Sequence, residues 1–164
     1  MLKEFKNLTP AEQQWMFDAI PLITVLVAGA DDDMDKVELA EAQRLADIRS
    51  YNNTNLIGAY YEIIDNDLTG RIMSLVDELP STLAPRQEEI AARLAKLNGV
   101  FGKLPEPFAY LYYKDFVSFG HHVAESHGGF MRFMTVGPEE AKVMDLPMLT
   151  PVARPSEVDF PDLP

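Results

Sequence analysis

Apolar residues recur at three- and four-residue spacing along most of the chain, and no apolar–polar alternation persists long enough to predict a sheet. The first helix is announced by Thr9-Pro10-Ala11-Glu12. There the Thr hydroxyl can accept from the amide three residues on, Pro suits the first helical position, and Glu can reach back to the cap. Trp15, Ala19, Leu22 or Ile23, and Leu26 continue the pattern, while Pro21 removes a backbone donor and predicts a kink or a division near residues 17–20. A second capping box, Asp35-Lys36-Val37-Glu38, opens a helix running to about Arg49 and ended by Ser50-Tyr51-Asn52-Asn53. Helical pattern resumes over residues 55–79, is interrupted near Asp65 to Gly70, and closes at Pro80. Residues 82–102 form the most regular segment, with Pro85, Glu88 and Glu89 early and Ile90, Leu94, Leu97 and Phe101 on one face.

Beyond Pro105-Glu106-Pro107, a stripe of Phe108, Tyr112, Phe116, Phe119 and Val123 predicts a further helix, stopping at His127-Gly128-Gly129. A short helix over 138–145 follows Gly137. Residues 146–164 hold Pro147, Pro151, Pro155, Pro161 and Pro164 and read as an extended tail that packs loosely or is mobile. The pattern therefore predicts an all-α fold, a compact bundle of about six to eight helices. It occupies residues 1–145 in two halves, about 9–79 and 82–145, with 146–164 as a Pro-rich tail.

Charge narrows the function classes. The 164 residues carry 26 acids against 14 bases, a net charge of −12, and no cysteine. Disulfide scaffolds, thiolate metal sites and cysteine nucleophiles are excluded, and the singly scattered bases offer no groove for a phosphate backbone, so no nucleic acid is expected. The longest apolar run, residues 22–30 apart from Thr24, is shorter than the roughly 18 residues of a membrane span. Glu4, Glu12 and Asp18 upstream contradict a signal peptide, so the chain reads as cytoplasmic without membrane insertion. The acidity is local. Residues 31–47 carry seven acids and two bases, 62–78 five and one, and 139–164 six and two.

Hard cations want clustered carboxylates on a turn, and Asp31, Asp33 and Asp35 occupy positions 1, 3 and 5 of an EF-hand loop. Lys36 and Ala42 stand where that loop needs Gly and a bidentate Glu. Asp35 and Glu38 also read as helix cap and box partner, and Asp31 to Asp33 as solvated charges at the positive end of the next helix. Weak divalent-cation binding in another geometry and an acidic docking patch are the functional readings of the same residues. Asp65-x-Asp67-x-Thr69-Gly70-x-Ile72 imitates the EF-hand pattern more closely, but Val76 takes the bidentate position and Asp67 can equally cap a helix. His121, His122 and His127 with Glu125 form the single His cluster. His121 and Glu125 share a helical face, His122 lies about 100° round, and no three converge for zinc. Gly-x-Ser-x-Gly, Gly-x-Gly-x-x-Gly and Walker-type patterns are absent. Tyr60, Tyr61, Tyr110, Tyr112 and Tyr113 read as helix-seam residues with hydroxyls reaching the surface.

Residues 27–34, Val-Ala-Gly-Ala-Asp-Asp-Asp-Met, align without gaps on 123–130, Val-Ala-Glu-Ser-His-Gly-Gly-Phe, each after an apolar-striped helix. The segment Ala28-x-Ala30-Asp31-Asp32-Asp33-Met34-Asp35-x-x-Glu38 resembles the signature of TerB-like domains, the tellurite-resistance group also found at the N-terminus of a membrane-anchored co-chaperone. In that family a helix runs into Ala-x-Ala-Asp-Gly-x-apolar-polar-x-x-Glu, and the pattern recurs in degenerate form in the second half. The chain departs from it with Asp32 for Gly, Ser126-His127 for Ala-Asp, and Met134 at the second Glu position. The resemblance implies an all-helical fold, a link to stress responses, and an acidic patch at Asp31, Asp33, Asp35 and Glu38 for cations or partner docking. The combined expectation is a non-enzymatic domain presenting an acidic face to a protein partner or cations. Its alternatives are a metal- or calcium-binding module using the Asp31 to Glu38 or Asp65 to Gly70 loop, and lastly a hydrolase using His121 or His122. No resident cofactor is expected, a divalent cation is the one candidate ligand, and the sequence leaves the oligomeric state open.

Overall fold

A computed structural model describes residues 2–30, 36–50, 56–126 and 142–163. After a 3-10 turn at Lys3–Phe5, the described residues form seven α-helices: α1 Pro10–Ala28, α2 Lys36–Ser50, α3 Gly58–Asp65, α4 Leu68–Glu78, α5 Leu83–Ala95, α6 Leu97–Phe101 and α7 Phe108–Ser126. The all-α bundle is as the pattern predicts.

The Thr9 capping box forms in full. Thr9 Oγ1 accepts from the Glu12 amide at 3.3 Å, and Glu12 Oε2 accepts from the Thr9 amide at 2.9 Å. Pro21 does not divide the helix that follows, since α1 runs unbroken to Ala28. Every residue from 19 to 30 is buried, and α1 packs against all six other helices. A proline inside a helix costs about 3 kcal/mol. Burial of Ile20, Leu22, Ile23 and Leu26, each worth about 1.5–3 kcal/mol, outweighs that cost. The apolar run too short for a membrane is thus the central helix, apolar on all sides because protein surrounds it. No helix among the described residues is long and apolar enough to cross a membrane.

The interruption near residue 66 is real and separates α3 from α4. The regular segment 82–102 is, against expectation, two helices meeting at Lys96. Short i to i−3 bonds, Lys96 N–H to Arg93 O and Gly99 N–H to Lys96 O, tighten the junction, and Asn98 and Gly99 are weak helix formers. α1 ends at Ala28, two residues into the first of the repeated segments, and α7 covers the first four residues of the second. Residues 31–35 and 127–141, hence half of each repeat and half of the expected 138–145 helix, lie outside the described residues.

Phe5, Phe17, Tyr60, Tyr112 and Phe116 make an aromatic core, with Tyr60 at 5.1 Å from Tyr112 and 6.0 Å from Phe116. The proline-rich tail is extended over residues 150–156 but turns at 147–148, 157–159 and 161–162, and it is anchored where three leucines pack on the bundle. Leu146, Leu149 and Leu163 are buried, and Asn98 clamps the turn at 147–149 by donating to Met148 O at 3.0 Å and accepting from the Thr150 amide at 2.8 Å. Gly120 admits this segment to α7, because a Cβ there would stand 3.0 Å from Met144 O.

Candidate functional site

Asp31, Asp33 and Asp35 lie outside the described residues, as does His127, and of Glu38 only its place in α2 is described. The second acidic loop is described in full. Gln43 of α2 donates to Asp65 Oδ1 at 2.7 Å and accepts from Thr69 Oγ1 at 3.0 Å, so two of the EF-hand-like oxygens are turned toward a neutral amide. Asp67 folds back over Gly70, its carboxylate lying where a Cβ would stand and so turned toward its own helix. Among the described residues no group of three or more His, Asp or Glu side chains is arranged to hold a metal ion.

The histidines take separate partners. His121 Nε2 meets Asp145 Oδ1 at 2.7 Å and ties α7 to the tail, whereas His122 Nδ1 donates to the Ser118 carbonyl at 2.6 Å. That bond occupies the nitrogen nearest the Ser118 hydroxyl, so the two do not form a nucleophile and base.

The strongest polar constellation is one that the sequence does not announce. Arg49, at the end of α2, pairs with Asp115 of α7 at 2.8 Å, donates to the Tyr61 hydroxyl at 2.9 Å, and lies over the Tyr61 and Phe119 rings. Tyr61 in turn donates to Asp115. Burial opposes the charge on Arg49, but Tyr61 and Asp115 beside it leave the guanidinium above its ordinary value. Burial also raises the Asp115 carboxyl, against the pull of Arg49, and pushes the Tyr61 hydroxyl well up, so its proton stays in place. Tyr60 donates to Met16 O at 2.7 Å and Tyr112 to Glu4 at 2.9 Å. The hydroxyls of these three tyrosines therefore point inward rather than to the surface as expected, because each ring is fully enclosed and must find an internal acceptor. Arg49 meets Tyr61 at 12 residues' separation and the Asp115 carbonyl at 66, too far for any local pattern to mark.

Charged groups on the surface join α1, α4 and α5. Arg71 grips both oxygens of Asp18, at 2.9 and 3.1 Å, and reaches Glu78 at 3.1 Å. Arg93 bridges Glu78 and Glu89. Two openings flank this network. A cleft of about 320 Å³ between α1 and α5 is walled by Trp15 and Leu22 and rimmed by Glu89, Arg93 and Lys96, with the Lys96 ammonium over the Trp15 ring at 5.2 Å. A smaller groove of about 110 Å³ runs between α1 and the α3–α4 pair, floored by Phe17, Pro21, Ile63, Ile64 and Leu68. Asp67 lines this groove, and it and the exposed Glu62 and Asp77 of the same helix pair form no ion pair among the described residues. The sequence marks this acidity, but not the groove, which needs Phe17 and Pro21 from α1.

Compared with known proteins, the chain matches no family model, no curated protein and no solved structure.

Proposed function

We propose that the chain is a non-enzymatic helical domain of TerB-like type whose acidic surface docks a protein partner. One observation carries the reading: the buried polar groups able to do chemistry face one another inside the bundle, while Glu62, Asp67 and Asp77 face out. Tyr61, Arg49 and Asp115 are spent on each other, and Tyr112 on Glu4. A general base or nucleophile has to face a substrate, and these face protein. The resemblance at Ala28 to Glu38 supports the stress-response setting. A protein partner is the preferred occupant of the acidic surface because Asp65 and Thr69 already bond Gln43 rather than pointing to a shared centre.

Calorimetric titration with calcium chloride separates docking from cation binding. The native chain is expected to give no stoichiometric micromolar isotherm. The variant Asp31→Asn/Asp33→Asn/Asp35→Asn is expected to keep native helicity by circular dichroism, since these acids are read as surface groups. A stoichiometric isotherm that disappears in this variant replaces the docking reading with a calcium module.

A further inference from the structure

We infer that the groove between α1 and the α3–α4 pair is where the partner seats, and that it takes a basic amphipathic segment, one aliphatic side chain entering the groove with Lys or Arg beside it. The inference rests on the docking reading above and adds the site and the chemistry of the partner.

Size selects the kind of occupant. Small-molecule sites span roughly 300–1,000 Å³. A volume of about 110 Å³ with a floor of Phe17, Pro21, Ile64 and Leu68 suits a single inserted side chain, the usual anchor of a protein interface. Ile63, which lines the groove, is 42% exposed, so an apolar side chain is presented to an incoming one.

Charge selects the sign. Residues 62–78 hold five acids and one base, and that base, Arg71, is held by Asp18 and Glu78. Arg71 and Asp18 both line the groove but are held by each other, which leaves Asp67 as its unpaired charge, with Glu62 and Asp77 exposed elsewhere on the same two helices. A second copy of the chain, at a net charge of −12, would meet repulsion, and so would an anionic lipid surface. The cleft between α1 and α5 selects the opposite way, because its acids Asp18 and Glu89 are paired with Arg71 and Arg93 while Lys96 stands over the Trp15 ring.

The test is fluorescence anisotropy of a labelled peptide made of two copies of Leu-Lys-Lys-Leu-Leu-Lys-Leu, titrated with the full chain and three variants. Glu62→Lys/Asp67→Lys/Asp77→Lys is expected to weaken binding at least about tenfold. Glu157→Lys/Asp159→Lys/Asp162→Lys makes the same charge change on the exposed tail and is expected to leave affinity within about twofold. Ile63→Ser, which alters no charge and trims only a partly exposed side chain, is expected to weaken binding about three- to tenfold. Equal weakening by both charge reversals, or an unchanged affinity in Ile63→Ser, overturns the groove and leaves the broader acidic-surface reading standing. A native chain that ignores this peptide overturns both.

Discussion

Glu12 closes the first helix through its bond to the Thr9 amide, and it also pairs with Lys103, 91 residues away. The Lys103 ammonium and the Thr9 amide hold its carboxyl below the ordinary value of 4.5. A carboxyl depressed by folding stabilises the native state above its unfolded value, and the contribution fades as pH falls through the folded value. The melting temperature of Glu12→Gln is therefore expected below that of the native chain at pH 7, with the gap closing at pH values under 4.5. Gly120 and Gly70 make a contrasting pair. A Cβ at Gly120 meets backbone, Met144 O, so Gly120→Ala is expected to cost about 1–3 kcal/mol in urea denaturation. A Cβ at Gly70 meets only the free end of the Asp67 side chain, which can swing away, and the gain in helix propensity makes Gly70→Ala neutral or stabilising by up to about 1 kcal/mol. The capping box is legible in sequence because its partners are three residues apart. Lys103 is not, and neither is the reason for Gly120, since both depend on segments that only the fold brings together.

Helices were legible where their signals are local, and misread where tertiary packing overrides them. Pro21 carries a strong local signal for a break, yet it lies in the one helix that every other helix packs against, and burial wins. The Lys96 junction lies in a segment with an uninterrupted apolar stripe, and its purpose emerges only from Asn98, whose amide holds the tail. Asn98→Ala is expected to release this segment, so that limited proteolysis cuts within residues 146–163 faster than in the native chain. At the opposite seam, Arg49 joins α2 to α3 and α7. Removing one member of such a buried pair leaves the other charge unmet, so Arg49→Met is expected to lower unfolding stability by about 3–5 kcal/mol. The double variant Arg49→Met/Asp115→Leu is expected to lose less than the two single changes added together.

For the molecule as a whole, composition already separates inside from outside. The absence of cysteine leaves packing as the source of stability, and the core of Phe5, Tyr60, Tyr112 and Phe116 supplies it. The acidic excess over residues 62–78 is likewise plain in the sequence, whereas the groove beside it is assembled from α1, α3 and α4 and could not be read from any one of them. The first acidic loop, Asp31 to Asp35, lies outside the described residues and keeps its standing from the sequence alone.

Amide chemical-shift mapping during titration with the Lys–Leu peptide tests the central claim most directly, because it reports where an acidic-surface domain receives a basic partner. Shifts are predicted to concentrate at Phe17, Ile63, Ile64, Asp67, Leu68 and Arg71. Shifts centred instead on Trp15, Arg93 and Lys96, or spread evenly over every exposed acid, would contradict it.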